Sequence, residues 1–143
     1  MKAIPFLHCR LCTRKREHKY GRYPSHMASR TSSPLVHPAI EDFDLFKIMS
    51  ALTDEIRLTI VVTLASSRGL ACSGFNREVT ASVLTRHFRV LREAGVIRQH
   101  DVGTRRINTL RKEELDQRFP GLIDLVLKES DGRVTPYTNV DSA

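Results

Sequence analysis

Cysteine is scarce, long apolar runs are missing, and the signatures of common catalytic sites are not found. Three cysteines are a small and odd number, which argues against a disulfide framework and suits a reducing cytoplasm. No apolar run approaches the roughly 18–20 residues of a transmembrane helix, so no membrane partner is expected. Lys2 offers a basic start, but Ala3-Ile4-Pro5-Phe6-Leu7 is too short for a signal peptide and basic residues follow at once. There is no Gly-rich phosphate loop, nucleophile elbow or zinc-protease helix motif. The carboxylates sit mostly at helix starts, where compensation of the helix dipole accounts for them. An enzyme is therefore not expected.

What is present suits one domain with tails. The chain has 143 residues, of which 41% are hydrophobic and 27% charged, enough for a modest core. The net charge of +7 is not spread evenly. Residues 1–38 hold eight Lys/Arg and one acid, whereas residues 39–143 hold fifteen of each. The bulk basicity therefore reports the first segment. Within the neutral remainder, residues 77–112 carry nine basic side chains (Arg77, Arg86, Arg89, Arg92, Arg98, Arg105, Arg106, Arg111 and Lys112) against Glu78, Glu93 and Asp101. Residues 113–143 are acidic. A local basic segment in a neutral domain is the footprint of a polyanion-facing surface, and equally that of a solvated charged face.

Residues 1–40 read as a basic, disordered tail. Pro5, Pro24, Pro34 and Pro38 recur, with the run Ser29-Arg30-Thr31-Ser32-Ser33 and no sustained apolar period. Such a segment buries too little apolar area to offset its ordering entropy. Met27, opening Met-Ala-Ser-Arg-Thr, is a second candidate start. Cys9 and Cys12, with His8 and His18, have zinc-like spacing, but one Cys-x-x-Cys without a second pair is a weak signal. The run Arg14-Lys15-Arg16 suits nonspecific affinity for a polyanion through counterion release.

From residue 41 a helical period sets in. Leu45, Ile48, Met49 and Leu52 are spaced as one helix face over 41–52, widened by Phe43 and Phe46, with Glu41, Asp42 and Asp44 in the first turn. Thr53 reads as an N-cap for a second helix that ends near Ser66-Ser67-Arg68-Gly69. Ile56, Ile60 and Leu64, with Leu58, Val61 and Val62, make it apolar on more than one side, as a core helix is. Residues 70–78 are ambiguous. A short helix with Leu70 and Phe75 inward is the expectation.

Residues 80–94 form the clearest element. Thr80 caps, and Leu84, Phe88 and Leu91 make one inward row, with Val83, His87, Val90 and Ala94 beside it. Ser82, Thr85, Arg86, Arg89 and Arg92 fall largely outside those rows. Gly95 supplies a left-handed stop. Two β-capable runs, Val96 to His100 and Arg105 to Leu110, flank Asp101-Val102-Gly103-Thr104 and read as a hairpin. A helix follows from Lys112 to about Arg118. Pro120-Gly121 interrupts it, and Leu122 to Leu127 begins a last apolar helix. Residues 129–143 look frayed.

The expected fold is mainly α with a small β-hairpin wing, an α+β winged helix-turn-helix over residues 41–128. A helix with Ser, Thr and Arg on adjacent exposed turns fits the major groove, about 12 Å wide, and supplies donors to base edges and phosphates. A hairpin with Arg105 and Arg106 beside its turn reaches flanking phosphates or the minor groove. The candidate DNA contacts are therefore Ser82, Thr85, Arg86, Arg89, Arg105 and Arg106, and the expected partner is double-stranded DNA. His87 is expected to be packed or hydrogen-bonded, and Cys72 to be a small core residue.

Residues 50–110 resemble the arsenic-repressor-like (ArsR) family of winged-helix regulators. Ala51-Leu52-Thr53-Asp54-Glu55-Ile56-Arg57-Leu58 and Ser82 through Ile97 carry the likeness, and Gly103-Thr104-Arg105-Arg106 matches the wing turn. The likeness extends, with flanking helices, over about 41–128. It implies a transcriptional regulator, a cytoplasmic homodimer paired through 41–52 and 112–128 that represses a promoter until an effector binds. The family's metal sites do not carry over. Where metal sensors hold a Cys-x-Cys pair this chain has Cys72 alone, and 122–129 offers only Asp124 and Glu129. No metal or cofactor is expected. Two rival readings remain: a winged helix that docks a protein through 122–127, and a metal or thiol sensor using Cys72 or Cys9 and Cys12.

Overall fold

The computed structural model describes residues 35–75 and 79–137. The expectations for Cys9, Cys12, His8, His18, Arg14–Arg16, Met27 and Arg77 fall outside the described residues. Five helices and one three-stranded antiparallel sheet are described: α1 (Leu45–Leu52), α2 (Glu55–Ala65), β1 (Leu70–Ala71), α3 (Ala81–Glu93), β2 (Ile97–Val102), β3 (Arg105–Leu110), α4 (Lys112–Arg118) and α5 (Leu122–Ser130). The sheet order is β1-β3-β2. The architecture is mixed α+β, in a layout compatible with a winged helix. No described helix is long and apolar enough to cross a membrane.

The core forms where the faces of these elements converge. Ile48 and Ala51 of α1, Ile60, Val61 and Leu64 of α2, Leu84, Phe88 and Leu91 of α3, Val96 and Ile97, Leu115 and Ile123 are buried together. The row Leu84, Phe88 and Leu91 is the inward stripe that its spacing requires. Phe88 meets Phe75 edge to face at 5.0 Å, and Phe75 meets Tyr137 at 6.0 Å. Tyr137 N–H also donates to Thr63 Oγ1 at 3.0 Å, so the chain beyond α5 returns onto α2. Helix α5 itself runs to Ser130, which is buried, two residues past the expected domain end.

Four expectations are corrected. Residues 41–52 are not one helix. Ile40–Asp42 is a 3-10 turn, Phe43 is extended and buried, and Asp44 caps α1 by accepting from Phe46 N at 2.9 Å and Lys47 N at 3.3 Å. Burying Phe43 is what breaks the helix. Phe46 and Met49, assigned to the inward face, are instead 79% and 50% exposed. Thr53 does not cap α2. Its hydroxyl turns back to Ser50 O, and the Asp54 carboxylate accepts from Arg57 N at 3.0 Å. Residues 70–75 are not helical. Leu70 and Ala71 pair with Asn108 and Ile107, adding a third strand, and Cys72–Gly74 is a 3-10 turn. Phe75 does point inward.

The stop after α3 and the hairpin follow the expected chemistry. Gly95 has φ +84°, and a Cβ there would lie 2.6 Å from Phe43 Cε1, so only glycine lets Phe43 pack against the end of α3. Strands β2 and β3 pair from Ile97↔Leu110 to Val102↔Arg105, with Gly103 at φ +59° in the connecting turn.

Candidate nucleic-acid interface

Helix α3 buries one row and leaves Ser82, Val83, Thr85, Arg86 and Arg89 exposed. Positions 82, 85, 86 and 89 follow the i, i+3, i+4, i+7 rule, so their side chains share one face of the helix. The Thr85 hydroxyl donates to Ala81 O at 2.7 Å and keeps acceptor capacity, and the Ser82 and Thr80 hydroxyls lie 3.2 Å apart. Arg89 Nε donates to Glu93 Oε1 at 2.7 Å, one turn on. Arg86 has no side-chain partner among the described residues.

The hairpin repeats this contrast. Arg105 is exposed beside the turn and has no side-chain partner among the described residues. Arg106 is half-buried and holds Asp101 with two bonds, at 2.8 and 3.2 Å. That pair, directly opposite in the β2–β3 register, keeps the Asp101 carboxyl below its ordinary range.

Most of the remaining basic side chains of the 77–112 segment do structural work. Arg111 is 4% exposed; it donates to Glu114 and to Pro38 O and lies 4.7 Å over the Phe43 ring. Its hydrogen bonds hold the Glu114 carboxyl below the usual carboxylate range. Arg98 donates to the other Glu114 oxygen at 2.8 Å, and Lys112 pairs with Asp124 at 2.6 Å. Arg92, which sequence spacing set among the outward residues, turns into the fold and donates to Gln99 Oε1 at 2.7 Å. Arg86 and Arg105 are therefore the two exposed cations of that segment left without a side-chain partner among the described residues, since Arg92 is turned inward onto the Gln99 amide.

The Arg92 contact belongs to a polar relay that tied nothing together at the level of sequence. Gln99 Nε2 donates to Asn108 Oδ1 at 2.7 Å, and Asn108 Nδ2 donates to Leu70 O at 3.1 Å and approaches Cys72 Sγ at 3.4 Å. Asn108 is fully buried and Gln99 is 5% exposed. The relay joins α3, β2, β3 and β1; the Gln99 and Asn108 amides are paired within it, which favours one arrangement of the elements they bridge, while Arg92 Nε is buried without a hydrogen-bond partner among the described residues. Its sequence signal was an inward polar residue on each strand of the hairpin, at facing positions.

His87 is largely enclosed, and its Nδ1 lies 3.5 Å from Asp54 Oδ1 without forming a hydrogen bond. Cys72 is a half-buried free thiol. Among the described residues no group of three or more His, Cys, Asp and Glu side chains is placed to hold a metal ion. No family model matches the sequence, and no curated protein matches it.

Proposed function

We propose that this chain is a sequence-specific regulator of transcription that binds double-stranded DNA through α3 and the β2–β3 hairpin. The observation that carries the reading is the face of α3. Ser82, Thr85, Arg86 and Arg89 stand on one exposed side of a helix anchored by a fully packed opposite row, and the hairpin that follows presents Arg105 beside its turn. One helix fits the major groove, and these side chains are donors suited to base edges and phosphates. On this reading α3 is the recognition helix of a winged helix-turn-helix, and the chain is a dimeric repressor of the ArsR type without the family's usual metal sites, working on DNA in the cytoplasm.

Exposed apolar side chains support the dimer. Phe46 and Met49 on α1 and Leu125 on α5 are each at least half exposed. Pairing through 41–52 and 112–128 would cover them. Two recognition helices would then enter major grooves about 34–36 Å apart on a two-fold symmetric site.

Selection from a pool of random-sequence duplexes tests the reading. The expected result is enrichment of one inverted-repeat sequence whose half-sites lie about one helical turn apart. A pool that stays random through repeated rounds contradicts it and favours the protein-docking alternative.

A further inference from the structure

Strand β2 is an outer strand of the sheet, so half of its backbone N–H groups point away from β3. The N–H of Gln99 is one of them. It donates to His37 Nε2 at 2.9 Å. The next residue, Pro38, accepts from Arg111 Nη1 at 2.9 Å, and its ring closes over Gly95 at the end of α3.

We propose that His37 is a proton-operated latch: its neutral ring holds residues 35–39 on the edge of β2, and protonation releases them. The chemistry is that of the accepting nitrogen. Nε2 takes the Gln99 proton with its lone pair, so in the latched state the ring proton is on Nδ1. An imidazolium has no lone pair, and its Nε2–H would face the Gln99 N–H donor instead.

The surroundings oppose the extra charge. Arg98 and His100 of β2 and Arg111 after β3 line the pocket around the ring, and the charge of Arg92 on α3 acts on it as well. The acids nearby are Glu41 on the 3-10 turn and Glu114 on α4. Glu114 is already shared between Arg111 and Arg98, and Glu41 is exposed. Burial is the main influence holding the His37 pKa below its ordinary value; a backbone hydrogen bond at Leu35 pulls it upward, and Arg92, Arg111 and Arg98 each add a smaller downward push. A base whose pKa is lower when docked stays docked above the undocked pKa, near 6.5, and is released as pH falls below it. At pH 5.5 an undocked imidazole is protonated about ten to one, so the docking equilibrium weakens by up to about tenfold.

The latch is independent of any DNA-binding role, and its test needs no DNA. Amide hydrogen exchange of Gln99 in the full chain is measured by NMR at pH 7.5 and 5.5, corrected for intrinsic exchange. The same is done for His37→Gln and His37→Ala. In the native chain, protection at Gln99 should fall by up to about tenfold on acidification. His37→Gln, whose amide oxygen accepts without titrating, should stay protected at both values. His37→Ala should be weakly protected at both. Native protection that does not change with pH, a His37→Gln response that follows the native one, or full protection in His37→Ala at pH 7.5 would each overturn the latch.

Discussion

Arg86 and Arg89 lie on the same exposed face of α3, but only Arg89 is committed to a carboxylate, Glu93 at 2.7 Å. The hairpin shows the same division, with Asp101 engaging Arg106 and leaving Arg105 unpaired among the described residues. An exposed ion pair is worth little, but its cation must give up a partner before it serves a phosphate. Arg86 and Arg105 are therefore the stronger contributors on the proposed interface. Arg86→Ala should weaken binding to the selected duplex by roughly 1–3 kcal/mol, the scale of one good base contact. Its melting temperature should stay within a degree or two of the native value, because the side chain is exposed and pairs with no side chain among the described residues. Unchanged affinity would remove Arg86 from the interface. The exposure of Ser82, Thr85, Arg86 and Arg89 was legible from helical spacing and that of Arg105 from its place beside the turn, whereas Arg106 is half-buried. The pairing of these side chains was not legible, since Asp101 meets Arg106 only once the hairpin register is set.

Elements with a strong period were legible, and those defined by distant partners were not. The row Leu84, Phe88 and Leu91 and the glycine after it specified α3 and its end to within a residue. The hairpin followed from two β-capable runs about a glycine turn. Strand β1 is two residues long and has no period to read. It exists because Asn108 and Ile107 lie opposite it, nearly forty residues further on. The break before α1 likewise comes from burying Phe43 beneath Arg111 and beside Gly95, contacts that local spacing does not encode. That close approach carries a prediction. Gly95→Ala must hold a left-handed residue and drive a methyl into the Phe43 ring, so it should cost about 2 kcal/mol or more. Urea unfolding should show a lower midpoint at unchanged slope. A midpoint equal to the native one would mean that Phe43 moves aside freely.

At the scale of the molecule, charge serves two separate ends. Glu114 gathers Arg111 and Arg98 and so joins α4 to β2 and to residues 38–43. Its carboxyl is held below the ordinary value in the fold, chiefly by Arg111. Stability from this group is full above the unfolded carboxylate range, near 4.3, and is lost as pH falls through the lower folded value. Glu114→Gln should therefore lower stability at pH 7 and flatten the loss that sets in as pH falls below the unfolded carboxylate range. A native-like acid limb in Glu114→Gln would show that other carboxylates govern it. The second end is left to Arg86 on α3 and Arg105 on the hairpin, both exposed. The whole-chain charge of +7 concealed this division, because it is supplied by residues 1–38 while residues 39–143 balance to zero.

The central claim is specific recognition of duplex DNA, and a fluorescence-anisotropy titration tests it most directly. The full chain is titrated against the selected inverted-repeat duplex and against a scrambled one, each at two salt concentrations. The account predicts a preference of about 1000-fold or more for the selected duplex, with affinity falling as salt rises. Equal, weak and salt-sensitive binding to both duplexes would reduce the interaction to the basic charge of residues 1–38 and contradict the account, as would no binding at either salt.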